Sequence, residues 1–200
     1  MKQPLGIILA GGLATRMGGG DKTLLQIAGQ SLLSHVIARL EPQVAGLALN
    51  ANGDPARFAA YGLPVLPDPL EGYAGPLAGV LAGLDWAATQ GGDCIVSVAA
   101  DTPFFPCDLV PRLQLAAEGM TNPLALAVTP DGRQPTFGLW PVALRDDLRA
   151  ALTGGLRKVV QWTDRHDARM AMFDDGGTPF FNVNTPEDLA HAQTLFGADQ

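Results

Sequence analysis

The sequence predicts an α/β fold: a single doubly wound, mostly parallel, Rossmann-like sheet with an antiparallel hairpin element and helices on both faces. Three observations predict it. Near-continuous apolar runs alternate with segments of helical periodicity, the pattern of parallel strands buried on both sides. A Pro130-Asp131-Gly132 turn between two apolar runs adds the hairpin. The main polar motifs lie just after apolar runs, where open parallel sheets bind their ligands.

Leu5 to Leu9 reads as the first strand. The next helix is expected over Ser31 to Leu40, with apolar residues at 32, 33, 36, 37 and 40. Val44 to Leu49 reads as the second strand, Pro55 to Tyr61 as a short helix and Leu63 to Leu66 as a third strand. Pro76 to Thr89 is the clearest helix, with proline in its first turn and Gly91-Gly92 ending it. Cys94 to Ala99 is the most continuous buried strand, and Asp108 is expected to cap the following helix. Leu124 to Val128 and Thr136 to Trp140 form the hairpin. Helices near 142–152 and 155–162, a strand near 168–173 and a last helix from Pro186 to Leu195 complete the order. No linker or internal repeat interrupts it, so 1–200 reads as a single domain.

Composition narrows the function. The chain has 200 residues, is 47% hydrophobic and carries a formal net charge of −7. No basic run offsets that charge, which argues against broad nucleic-acid or membrane-surface binding. A small anion site remains open. The two cysteines, Cys94 and Cys107, form no CxxC pair, and His35, His166 and His191 are scattered, so neither a disulfide framework nor a zinc site is expected. His35 lies in an apolar helical pattern and reads as a packing residue. With no apolar stretch of about 20 residues and no leader-like segment, a cytoplasmic protein is the simplest expectation.

The segment after the first strand concentrates the chemistry. Leu9-Ala10-Gly11-Gly12 leads to Thr15-Arg16-Met17-Gly18-Gly19-Gly20-Asp21-Lys22. Glycines give close backbone approach, and Arg16 and Lys22 supply positive charge, so a polyphosphate fits. The register is neither a Walker A loop, because Asp21 separates Gly20 from Lys22, nor a Gly-x-Gly-x-x-Gly dinucleotide loop.

Other strand ends add partners. Asp101, in Ala99-Ala100-Asp101-Thr102-Pro103, is placed to hold Mg²⁺, which takes one or two carboxylates together with phosphate oxygens and water. Asn50 and Asn52 share one face and suit either a base edge or ribose, or plain turn chemistry. Asp68 is a pocket residue or an ordinary turn residue. Gly75 opens a helix whose first N–H groups face an anion or simply begin the helix. Asn182 and Asn184 share a face at the last strand end, ahead of Thr185, Pro186 and Asp188, which make a helix cap. Arg133, Gln134, Arg157 and Lys158 are further candidates for an anionic second substrate.

Taken together, these motifs resemble the NTP-transferase-like nucleotidyltransferase superfamily and, within it, the molybdenum cofactor guanylyltransferases. The resemblance runs from Leu9 to Asp188. It implies transfer of GMP from GTP to the terminal phosphate of molybdopterin-bound molybdenum, with release of pyrophosphate. It places Leu9, Ala10, Gly11 and Gly12 on guanine and ribose, Asn50 and Asp68 in the guanosine pocket, and Lys22 with Arg16 on phosphates. Asp101 would hold Mg²⁺, with Mn²⁺ able to substitute, and Gly75, Asn182 and Asn184 would face the second substrate. Lys22, Arg16 and Asp101 are the expected catalytic set. Gly11-Gly12 resembles the guanine-using branch, where cytidine-using relatives tend to have Ala-Gly. Transient contact with molybdenum-cofactor assembly proteins or acceptor enzymes is a further expectation. The alternatives are a nucleotidyltransferase with another phosphorylated acceptor, whether cytidylyl transfer to molybdopterin or a sugar phosphate, and a non-catalytic carrier.

Overall fold

Leu5–Leu9 forms β1, and its neighbours in space explain why it is so apolar: it hydrogen-bonds to a parallel strand on each side. The computed structural model describes residues 2–11, 22–70, 72, 75–174 and 179–198. The strands in chain order are β1, β2 (Gln26–Ile27), β3 (Gln30–Ser31), β4 (Leu47–Asn50), β5 (Val65–Leu66), β6 (Cys94–Ala99), β7 (Ala125–Thr129), β8 (Gly132–Pro141) and β9 (Arg169–Met172). The helices are α1 (Leu32–Leu40), α2 (Pro76–Thr89), α3 (Leu109–Ala116), α4 (Arg145–Thr153), α5 (Val159–Arg165) and α6 (Pro186–Ala198).

Seven strands make one sheet in the order β5-β4-β1-β6-β8-β7-β9. Only β8 runs against the rest, since it pairs antiparallel with both β6 and β7 while β7 pairs parallel with β9. Alternation along the strands divides the interior in two. Ile8, Val96 and Val98 pack with Leu33, Val36 and Leu40 of α1 and Leu109, Val110 and Leu113 of α3. Ile7, Ile95 and Trp140 pack on the other face with Leu77, Val80, Leu81 and Leu84 of α2, Leu148 of α4 and Trp162 of α5. The doubly wound expectation therefore holds. A third, smaller core joins Ile27, Leu32, Val183 and Ala192, tying β2 and α1 to α6.

Several boundaries move, for local reasons. Val44 to Gly46 precede β4 rather than belonging to it: Glu41–Gln43 forms a 3-10 turn with Pro42, and Ala45 N–H donates to Pro4 (2.9 Å). The helix expected from 142 begins at Arg145, after a separate 3-10 turn over Val142–Leu144, and the next spans Val159–Arg165. Asp108 occupies the cap position of α3 without capping it; its carboxylate lies 3.6 Å from Arg112 instead. The hairpin of β2 and β3 has no counterpart in the sequence reading. Its turn residues Ala28 and Gly29 both have positive φ (50° and 81°), the backbone of a tight hairpin. His35 is buried, its Nε2 2.9 Å from the Ile27 carbonyl, in keeping with a packing role.

Candidate active site

At the carboxyl ends of β1, β4 and β6 the chain leaves the sheet, and the singled-out residues converge there in two groups.

The first group lies over β4 and β5. These strands pair in parallel with Asn50 opposite Leu66. Continuing that register two residues sets Asn52 opposite Asp68. Asn50 is buried, and its Nδ2 donates to the Leu66 carbonyl (3.1 Å) and to Asp68 Oδ1 (2.9 Å). Asn52 Nδ2 donates to Asp68 Oδ2 (2.8 Å), and Asp68 N–H donates back to Asn52 Oδ1 (2.8 Å). Both amides thus donate to Asp68, and the Asn52 side chain braces it. Asn50 Oδ1 points toward α2, close enough that a Cβ on Gly79 would lie 2.2 Å away. Gly79 and Gly83 let α2 approach the sheet, which brings its N-terminus, with Gly75 at the cap (φ 147°), to this end of the site.

The backbone after β1 is partly committed. Leu9 C=O accepts from Ala100 N–H (3.1 Å), and Ala10 N–H donates to Asn50 C=O (2.9 Å). Among the described residues, Ala10 C=O and Gly11 N–H have no partner, so these are the groups at this turn that remain for a ligand. Gly12 and Arg16 lie outside the described residues.

The second group gathers around Lys22. Its ammonium donates to Asp101 Oδ2 (2.7 Å) and to Asn184 Oδ1 (2.5 Å). Two of its three N–H donors are thereby used by described residues. Thr102 Oγ1 lies within hydrogen-bond reach of Asp101 Oδ1 (3.1 Å) and of Asn182 Oδ1, and Val183 N–H donates to the Asp101 carbonyl (2.9 Å). The 182–184 segment is thus laced to the turn after β6, and Asn182 and Asn184 stand beside Lys22 and Asp101 as the motif reading expects. Asp188 secures it from α6: its Oδ2 accepts from the N–H groups of Asn184 and Thr185 (both 2.9 Å), and Thr185 Oγ1 accepts from Asp188 N–H (3.1 Å). The bonds from the 184 and 185 backbone, aided by Lys22, hold the Asp188 carboxyl below the usual carboxylate range.

Thr102 and Asp188 are contributors that sequence reasoning passed over as site residues, although both sit inside motifs it quoted. Two of the basic candidates for an anionic second substrate have protein partners: Arg133 donates to Asp164 (2.6 Å), and Arg157 to the Leu152 and Leu156 carbonyls (3.1 and 2.8 Å).

The mostly parallel sheet thus carries an amide-braced carboxylate beyond β4 and β5 and a lysine–aspartate pair beyond β6. Solved structures share the fold. A molybdopterin-guanine dinucleotide biosynthesis protein A from Archaeoglobus fulgidus superimposes with TM-score 0.75 at 22% identity, covering 97% of this chain and 99% of that one. A nucleotidyl transferase from Methanothermobacter thermautotroptrophicus gives 0.76 at 18%, with full coverage of both. Residues 6–169 match the MobA-like NTP transferase domain, and the chain belongs to that family. Its sequence is 55% identical over 194 residues to a molybdenum cofactor guanylyltransferase of Bradyrhizobium sp. (strain ORS 278), covering 95% of this chain and 92% of the relative. It is 52% identical over 196 residues to one from Cereibacter sphaeroides, covering 97% of each.

Proposed function

We propose that the protein transfers GMP from GTP to the terminal phosphate of molybdopterin-bound molybdenum, giving the guanine dinucleotide form of the cofactor and pyrophosphate. The observation that carries the reaction type is the convergence of Lys22, Asp101 and Asn184 at the carboxyl end of the parallel sheet. Family membership and near-full-length identity to molybdenum cofactor guanylyltransferases support the choice of substrates.

A phosphate oxygen of the pterin attacks the α-phosphorus of GTP. The new O–P bond forms as the bond from the α-phosphorus to the β-phosphate bridging oxygen breaks, and the electron pair leaves on pyrophosphate. No protein nucleophile is required; the protein aligns the reactants and neutralises charge. Lys22 serves the phosphates, with Arg16 assisting. Asn50, Asp68 and the backbone groups of Ala10 and Gly11 receive the nucleoside. Among the described residues a Cβ on Gly11 would meet only Asn50 Oδ1, at 3.6 Å, so a nucleoside could approach the backbone closely there.

The donor set fits Mg²⁺ or Mn²⁺ if Asp101 is its protein ligand, because such an ion completes its shell with phosphate oxygens and water. When bound, it would neutralise charge on the phosphates. Asp101 Oδ2 accepts from the Lys22 ammonium, so lysine and cation would share or compete for that carboxylate. No helix among the described residues is long and apolar enough to cross a membrane. Work in the cytoplasm, and handover through assembly proteins or acceptor enzymes, belong with this reading.

Pyrophosphate release should require both GTP and molybdopterin-bound molybdenum, with ATP, CTP and UTP inactive. Release with a sugar phosphate in place of the pterin, or binding without release, would overturn the assignment. Lys22→Ala and Asp101→Ala should each lower turnover by about 10²–10³-fold, the usual loss of one preorganised electrostatic contact.

A further inference from the structure

We infer that Asn52 is a positioning residue for nucleoside selection: it touches no substrate and acts by holding the carboxylate of Asp68 in one orientation. The inference rests on the proposal that Asp68 receives the nucleoside.

A carboxylate at a loop start can turn about its Cβ–Cγ bond, and one donor does not stop it. Asp68 has two. Asn50 Nδ2 takes Oδ1 from the buried side (2.9 Å), and Asn52 Nδ2 takes Oδ2 from the solvent side (2.8 Å), which fixes the plane of the group. Asn52 Oδ1 also accepts from the Asp68 backbone N–H (2.8 Å), so the same amide sets the main chain and the side chain of Asp68. Asn52 is itself held: its carbonyl accepts from Arg57 Nη2 (2.7 Å), and Gly53 turns the chain at φ 84° immediately after it. Among the described residues the side-chain donors to Asp68 are the amides of Asn50 and Asn52. Each oxygen keeps a lone pair for a donor on the ligand. Oriented acceptors discriminate because a ligand lacking the matching donor leaves a desolvated carboxylate unpaired.

The experiment is a double-mutant cycle read by equilibrium binding of GTP, ATP and tripolyphosphate to the whole protein. Asn52→Ala should weaken GTP roughly tenfold, the worth of a hydrogen bond to a charged group. It should narrow the gap between GTP and ATP and leave tripolyphosphate unchanged. Asn52→Ala should add no further loss in an Asp68→Ala background, because there is no carboxylate left to orient. Asn52→Asp should be worse than Asn52→Ala, since it sets two carboxylates face to face. Asn52 is exposed, so a thermal melt of each variant should confirm an intact fold. Full additivity of the two substitutions, or unchanged GTP binding by Asn52→Ala alone, would overturn the inference. Unchanged GTP binding by Asp68→Ala would instead remove Asp68 from the nucleoside pocket, a separate failure.

Discussion

Lys22 and Asp101 are 79 residues apart in sequence and 2.7 Å apart in space, and each occupies the group through which the other would work. Lys22 is 14% exposed at its side chain and Asp101 28%, so the pair is partly screened and of modest strength. If Asp101 holds the divalent cation proposed above, the ammonium competes with that cation in the ligand-free protein. Neutralising it should therefore help the metal and hurt the nucleotide. With Lys22→Met, Mn²⁺ binding without nucleotide, followed by electron paramagnetic resonance, should tighten about five- to tenfold, while GTP binding weakens. A loss of Mn²⁺ affinity would place the metal away from Asp101. The types of these residues were legible in the sequence, since a lysine in a glycine-rich loop and an aspartate after a buried strand each suggest phosphate or metal chemistry. Their direct contact was not. Nor was the commitment of both asparagine amides to Asp68, because it depends on the register of β4 against β5 across 16 residues.

At the scale of elements, α2 shows why some segments could be read from the sequence and others could not. Its bounds, Pro76–Thr89, follow from a proline start, a continuous apolar pattern and a glycine stop. β1 and β6 are likewise bounded as expected, because strands buried on both faces need uninterrupted apolar runs. The β2–β3 hairpin has strands of two residues each, too short for any periodicity to show. What the pattern of α2 hides is that Gly79 is a contact surface. Alanine there would gain about 1 kcal/mol of helix propensity. Its Cβ, however, would lie 2.2 Å from Asn50 Oδ1 and 2.7 Å from Leu9 Cδ2. Asn50 cannot yield without breaking its bonds to Leu66 and Asp68, so overpacking of about 1–3 kcal/mol should win. Gly79→Ala should melt a few degrees lower and bind GTP more weakly than Gly83→Ala. The latter meets Ile95 and Ile7 deeper in the core and should cost stability without the selective loss of nucleotide.

Across the whole molecule the question is whether the sheet opens as one unit. The two free cysteines report on it differently. Cys107 is exposed, while Cys94 is buried at the start of β6, at the end of the strand opposite Asp101. Burial pushes the Cys94 thiol up to about 11, with the neighbouring Asp93 charge adding to the effect, so little thiolate exists near neutral pH. Cys107 should react with a thiol reagent at once and Cys94 only on opening. β6 is hydrogen-bonded on both sides, to β1 and β8, and the apolar clusters on the two faces of the sheet both draw on it. If access to Cys94 requires global unfolding, a ligand at the far end of the strand, about 20 Å away, must slow its labelling by mass action. GTP at 100 times its dissociation constant should then slow Cys94 labelling about 100-fold and leave Cys107 unaffected. Labelling of Cys94 at the same rate with and without GTP would show that the amino end of β6 frays on its own, uncoupled from the site.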